Sequence, residues 1–171
     1  MFLVRLEIIG QCLFFFLAGV NTISANIAFV LHQLAKHQDI QDDLFRQLWT
    51  TFPNEHIKIE DLNQCPLLNN VVLESERMTP SVTKLFRRAT RDSTLSNGIR
   101  VKKGQLIAIP VYALQNHEDY FDDPFEFKPE RFENMDNEIR QYAFLPFSSG
   151  PMNVSVNVSE NCNVISKFIN R

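Results

Sequence analysis

The chain has 171 residues, a formal net charge of −3 and a hydrophobic fraction of 44% that includes 15 phenylalanines. This length and apolar content suffice for one domain with a packed core. The acidic balance and the lack of any run of Lys and Arg argue against a nucleic-acid partner. Cys12, Cys65 and Cys162 are odd in number and far apart, so they indicate neither a disulfide framework nor a metal site.

Residues 8–31 form an N-terminal stretch with no charged side chain. The stretch exceeds the ~20 residues that span a bilayer, but two asparagines near its middle are costly in hydrocarbon. Three interpretations stay open: a membrane span, a secretory signal with residues 12–20 as its apolar region, and a long buried helix. The pattern favours the last, a helix buried on all sides over residues 13–20 and on one face later.

Two further helices are predicted after this stretch. The second covers residues 40–49, with Asp39 as its N-cap. The third begins with Pro66 in its first turn and ends near Met78, because Thr79 and Pro80 cannot continue it.

Beyond Pro80 the pattern changes to strands. A strand is expected over residues 82–89, and Asn97-Gly98 predicts a hairpin turn between residues 94–95 and 99–101. Residues 105–112 suggest a buried strand and residues 113–120 a short helix. The chain from residue 121 onwards is irregular and rich in proline, and such a long irregular segment indicates a functional role.

Three short motifs follow one another along the chain: E-x-x-R at Glu74 and Arg77, P-E-R-F at 129–132, and F-S-S-G-P at 147–151. Together with F-F-L-A-G-V-N-T-I-S at 15–24, they make residues 7–153 resemble the C-terminal part of a cytochrome P450, closest to the animal microsomal branch. The resemblance implies an α+β, mostly helical, partial fold of that family. Its parts would be a long central helix, the E-x-x-R helix, a small antiparallel sheet and an irregular meander.

The resemblance also implies an activity, haem-dependent monooxygenation of small lipophilic substrates with electrons from a reductase. It places such an enzyme on the cytosolic face of the endoplasmic reticulum membrane. The implied site residues are Gly19 and Thr22 on the oxygen-facing helix, Glu74, Arg77 and Arg131 as a structural triad, and Arg87, Phe147 and Gly150 as haem contacts.

Three departures from the family pattern fall on the chemistry. Asn21 stands where the family has an acid, and an amide does not exchange protons near neutral pH. Met152 stands where an arginine would pair with a haem propionate. Val154 stands at the position of the cysteine thiolate, which leaves no metal ligand in the loop. We therefore expect the chain as written to be inactive.

The resemblance stops at Asn153. Residues 1–153 are interpreted as a partial cytochrome P450 domain and residues 154–171 as an unrelated tail. Val154-Ser155 is what a common splice donor would encode, so two explanations of the tail stay open: intron read-through and a truncated gene model. The family's N-terminal portion and membrane anchor are expected to be missing, which gives a cytoplasmic or unknown location. A monomer or poorly soluble fragment with exposed residues 14–16 is expected.

The alternative from another class is a secreted or membrane-tethered protein with no enzyme chemistry. Its support is the apolar N-terminal stretch and the two glycosylation sequons that begin at Asn153 and Asn157. A non-catalytic fragment that competes for a reductase is a third possibility, which no particular residue supports.

Overall fold

The computed structural model describes residues 5–53, 59–135, 139 and 142–148. The helices are α1 Arg5–Lys36, α2 Gln38–Thr51, α3 Pro66–Met78 and α4 Val111–Gln115, with 3-10 segments at Ile59–Gln64 and Pro129–Phe132. The strands are β1 Leu85–Arg88, β2 Ser93–Thr94, β3 Arg100–Val101 and β4 Leu106–Ile109. The prediction of a mostly helical α+β arrangement is confirmed.

The main core lies where α1, α2 and α3 meet. Its buried apolar side chains include Val30, Leu34, Leu44, Leu48, Leu62, Leu68, Val71 and Val72. On α1 and α2 these residues are four apart, so each helix turns one face inward. A second cluster, formed by Leu73, Phe121, Phe132, Ala143 and Phe144, includes residues of the irregular C-terminal segment. Because α3 contributes side chains to both clusters, its residues are buried without interruption from Val71 to Arg77.

The first half of α1 is exposed, so the prediction that residues 13–20 are buried on all sides is wrong. Phe14, Phe15 and Phe16 are 64%, 69% and 65% exposed, as expected for residues 14–16. The physical reason is length. A helix of 32 residues is about 48 Å long, whereas α2 and α3, with 14 and 13 residues, reach only about 20 Å each. They cover the second half of α1, where Val30 and Leu34 are buried.

The boundaries of the next two helices agree closely with the prediction, apart from one cap. The N-cap of α2 is His37, without a side-chain cap, and Asp39 lies in the first turn. The prediction of Asp39 as N-cap is wrong because a single non-helical residue joins α1 to α2. Asp39 instead places its negative charge near the positive end of the helix dipole. The α3 helix runs from Pro66 to Met78, as predicted.

The predicted hairpin at Asn97-Gly98 is confirmed. β2 pairs antiparallel with β3, and Gly98 has a φ of 84°, which a glycine adopts without a Cβ clash. The other two strands, β1 and β4, also pair antiparallel, with Leu85 opposite Ile109. A two-stranded sheet leaves much of its surface to solvent, and the side chains of β4 alternate between exposed and half-buried. The prediction of a buried strand over residues 105–112 is therefore wrong on two points, because the strand is only half-buried and it ends at Ile109.

The short helix that follows also differs from its predicted range, 113–120. α4 spans Val111–Gln115, so it begins directly after Pro110, which has no N–H with which to continue the ladder. Asn116 is the C-cap, and its side-chain Nδ2 donates to the Tyr112 carbonyl at 2.9 Å, beside its backbone N–H, which donates to the same oxygen at 3.2 Å.

Truncation of a core leucine should destabilise the protein far more than truncation of an exposed one. Leu44→Ala removes a fully buried side chain and is expected to lower the free energy of unfolding by about 2–5 kcal/mol. Leu17→Ala on the exposed half of α1 is the control, with an expected change within about 0.5 kcal/mol. Denaturant unfolding followed by circular dichroism measures both. Equal effects would contradict the position assigned to the core.

Candidate functional site

The site is organised around a buried ion pair within α3. Arg77 donates from Nε to Glu74 Oε2 at 2.8 Å and from Nη2 to Glu74 Oε1 at 3.0 Å. Both side chains are fully buried. The spacing of three residues puts them on one face of the helix, and the parallel bonds make the pair rigid and directional.

Arg131 of the 3-10 segment extends this pair to the irregular C-terminal region. Its Nε donates to Glu74 Oε1 at 2.9 Å, and the backbone N–H of Lys128 donates to the same oxygen at 3.0 Å. Its Nη1 also donates to the Asp122 carbonyl at 3.0 Å. The structure thus brings Glu74, Arg77 and Arg131 together, and their bonds fasten the segment after residue 121 to α3.

Sequence reasoning missed two further members of this network, Gln115 and Asn116. Arg77 Nη1 donates to the Gln115 carbonyl at 2.8 Å and Nη2 to the Pro124 carbonyl at 2.8 Å. The Gln115 side chain donates from Nε2 to the Glu76 carbonyl at 3.0 Å and accepts from the Leu145 N–H at 2.8 Å. The only sequence signal was two adjacent amides at the end of an apolar run, which does not distinguish a buried network from a surface loop.

Gly19, Asn21 and Thr22 lie together on α1. Asn21 and Thr22 are exposed and Gly19 is half-buried. The Thr22 hydroxyl donates to the Ala18 carbonyl, one turn back, at 2.8 Å. A Cβ added at Gly19 would meet nothing within 4 Å, so packing within the described part of the chain does not require glycine there. One hydrogen bond, from Ser81 Oγ to the Thr22 carbonyl at 3.4 Å, links this part of α1 to the segment after α3.

Arg87 meets the predicted loop from the strand side. Its Nη2 donates to Ser148 Oγ at 2.6 Å, and its Nη1 donates to the Phe86 carbonyl at 3.0 Å. Ser148 has a φ of 68°, a left-handed conformation that marks a turn. Phe147 beside it is half-buried. Three predicted positions of this loop, Gly150, Met152 and Val154, lie outside the described residues.

Known proteins similar to this chain agree on one family. The Cytochrome P450 family profile matches residues 3–153. The chain belongs to the cytochrome P450 family. It is 34% identical over 151 residues to cytochrome P450 3A19 of Capra hircus aegagrus and 36% identical over 149 residues to cytochrome P450 3A5 of Homo sapiens. It is 39% identical over 150 residues to cytochrome P450 3A9 of Rattus norvegicus.

The alignments cover most of this chain and a variable share of these cytochromes P450. They include 87%, 86% and 86% of the chain for the three relatives in that order. They include 69% of the Capra protein, but only 30% of the human protein and 29% of the rat protein. The chain therefore spans less than a third of the length of the human and rat relatives.

Membership of the cytochrome P450 family implies a haem cofactor. Among the described residues, the feature that fits haem is a cation suited to its propionate groups. The half-buried Arg87 guanidinium suits a carboxylate such as a propionate. Cys12 is exposed, far from the loop in sequence, and Cys65 is buried in the core, with its thiol 3.2 Å from Gln47 Oε1. Burial raises the pKa of the Cys65 thiol, which disfavours the thiolate that binds metals. No cluster of three or more His, Cys, Asp or Glu side chains that could hold a metal ion occurs among the described residues.

One helix in the described ranges, α1, is long and apolar enough to cross a membrane. A core helix of a soluble protein or a signal sequence meets the same criterion, so length and composition alone do not separate these cases. The contacts of Val30 and Leu34 with α2 and α3 show that the second half of α1 is a core helix.

Loss of the Arg77 guanidinium should be strongly destabilising. Among the described residues, Arg77→Ala leaves the buried Glu74 with Arg131 as its cation, and we expect a loss of about 3–5 kcal/mol in the free energy of unfolding. Arg46→Ala is the matched control, because Arg46 pairs with Asp43 at the same three-residue spacing on an exposed helix face. We expect that change to be about 0–1 kcal/mol. Chemical denaturation measures the difference, and similar losses would show that the Arg77 network is not a structural anchor.

Proposed function

We propose that residues 1–153 are part of a haem-dependent monooxygenase domain that acts on small lipophilic substrates. The observation that carries this proposal is the buried Glu74–Arg77–Arg131 network in a chain whose residues 3–153 match the cytochrome P450 family. The network would serve as the structural triad, since it joins α3 to the irregular segment that leads to the loop at 144–148. Haem, when bound, would supply the oxidation chemistry.

The remaining site residues have proposed roles that rest on the resemblance to the cytochrome P450 family. Arg87, Phe147 and Gly150 are proposed haem contacts, and the bond from Arg87 to Ser148 would orient the guanidinium toward an anionic group. Gly19, Asn21 and Thr22 are proposed to face the oxygen substrate from α1. The Thr22 hydroxyl donates its hydrogen to the Ala18 carbonyl, and its oxygen lone pairs can accept a hydrogen bond from a neighbouring donor.

We further propose that the chain as written does not catalyse this reaction. Val154 has no atom that can bind iron. Of the described cysteines, Cys12 is exposed on α1, and Cys65 is buried in the core, where its raised pKa disfavours the thiolate. Asn21 cannot exchange a proton as a carboxylic acid would. The family match ends at residue 153, which supports the proposal that residues 154–171 lie outside the domain.

Partners and location follow from the same proposal. A reductase would supply electrons, and the cytosolic face of the endoplasmic reticulum membrane would be the location of an enzyme of this type. The formal charge of −3 supports the absence of a nucleic-acid partner. The comparisons lend no support to the alternative of a secreted or tethered non-enzymatic protein, because each relative named above is a cytochrome P450.

Spectroscopy tests the proposed lack of a thiolate ligand. The purified chain, incubated with haem, reduced and exposed to carbon monoxide, should give no absorption band of the thiolate-ligated type. Cytochrome P450 3A5 of Homo sapiens, treated in the same way, is the positive control. A thiolate-type band from this chain would overturn the proposal of inactivity, whereas failure of Arg77→Ala to destabilise would argue against the structural triad.

Transcript sequencing tests the proposed domain boundary. We expect transcripts in which the codon of Asn153 is joined to a segment that encodes a cysteine next. Reads that run without interruption into the codon of Val154, with no spliced form, would contradict intron read-through as the origin of the tail.

A further inference from the structure

A second carboxylate of α3, Glu76, is buried, and no cation pairs with it among the described residues. Its side chain is only 4% exposed, and its hydrogen-bond partner is Asn26 of α1, which is 6% exposed. Asn26 Nδ2 donates to Glu76 Oε1 across the interface between the two helices. An ionised carboxylate in this position would carry a full negative charge with one neutral donor, which is a costly arrangement.

Two buried acceptor atoms at this contact, Asn26 Oδ1 and Glu76 Oε2, have no hydrogen-bond partner in the part of the chain that the structure describes. They belong to the same two side chains that already share one hydrogen bond. Both atoms are acceptors, so neither can satisfy the other until a proton lies between them. A single proton on Glu76 Oε2, donated to Asn26 Oδ1, would satisfy both at once.

We propose that Glu76 is a proton-binding site in the folded protein and that its neutral carboxylic acid forms a reciprocal pair with the Asn26 carboxamide. In this pair Asn26 Nδ2–H donates to Glu76 Oε1, and Glu76 Oε2–H donates to Asn26 Oδ1. The pair joins α1, one turn after Thr22, to α3, two residues after Glu74. Deprotonation removes one of the two bonds and leaves an anion in the helix interface, so the docking of α1 on α3 weakens as the pH rises.

The charged groups around Glu76 are engaged elsewhere. On its own helix, Glu74 and Arg77 bond to each other, and Arg131 of the 3-10 segment packed against α3 bonds to Glu74. From α4, Gln115 contributes a neutral amide that donates to the Glu76 backbone carbonyl, not to its carboxyl group. Burial raises the pKa of Glu76 to about 7, and the hydrogen bond from Asn26 opposes this rise.

The direction of the pH effect follows from the raised pKa. Below the ordinary value of 4.5 the carboxyl is protonated in both the folded and unfolded chains, and the stabilisation is complete. Between 4.5 and about 7 the folded chain holds the proton more tightly, so stability falls as the pH rises through this window. From about pH 5 to about pH 8 the ratio of folded to unfolded chain should fall on the order of a hundredfold because of this group.

The test compares the full chain with Glu76→Gln by denaturant unfolding at intervals across that pH range. Glutamine reproduces the protonated geometry, with an NH₂ donor in place of the O–H, so the variant should lose this part of the pH dependence and be the more stable protein at about pH 8. Glu118→Gln removes an exposed carboxylate and should retain the wild-type dependence. Subtraction of the Glu76→Gln profile also removes any contribution from the histidines. An unchanged pH dependence in Glu76→Gln would overturn the proposal.

Infrared spectroscopy of the unsubstituted chain gives a readout that does not require any variant to fold. A protonated carboxyl C=O band should persist at about pH 6, where carboxyls of ordinary pKa are ionised, and should disappear with a midpoint of about 7. Absence of that band at about pH 6 would refute the neutral pair. The double variant Asn26→Leu/Glu76→Leu should remove both the band and the pH-dependent loss while keeping the helix interface packed.

Discussion

The buried guanidinium of Arg77 is the group on which the rest of the structure depends. A buried cation needs a hydrogen-bond acceptor for each of its donors, and the acceptors for Arg77 come from several elements. Glu74 neutralises the charge from one turn away, and the Gln115 and Pro124 carbonyls accept the outward-facing donors. The ring of Phe121 lies 5.1 Å from the guanidinium carbon. An irregular segment with few backbone bonds of its own is therefore held against α3.

Two carboxylates on α3 illustrate two ways to bury an acid. Glu74 and Glu76 are two residues apart, so they point to different sides of the helix. Glu74 pairs with Arg77 on its own helix and also faces the C-terminal segment, from which Arg131 and the backbone N–H of Lys128 bind it. Glu76 faces α1, where the hydrogen bond it accepts comes from the uncharged amide of Asn26. Glu74 is buried beside two arginines, whereas Glu76 is proposed to be buried as the neutral acid, hydrogen-bonded to Asn26.

The long helix α1 serves different purposes along its length. Its second half is a core element, with Val30 and Leu34 packed against α2 and α3. Its first half is apolar but open, and the residues with proposed oxygen-facing roles lie at the transition between the two. The sequence pattern predicted burial on all sides for residues 13–20, because composition records how apolar a segment is and not which partner covers it. The same limit applied to β4, whose apolar residues lie on a half-open two-stranded sheet.

Local sequence determined the elements that local physics controls. Pro66 and the Thr79-Pro80 pair set the ends of α3, Asn97-Gly98 made the hairpin, and the ordered motifs identified the cytochrome P450 family before any contact was known. The i, i+3 spacing of Glu74 and Arg77 also placed them on one face. Tertiary structure alone decided that Gln115 and Asn116 complete the Arg77 network and that Asn26 meets Glu76 across fifty residues. These contacts join residues distant in sequence, and a buried amide has the same local pattern as an exposed one until its partner is in place.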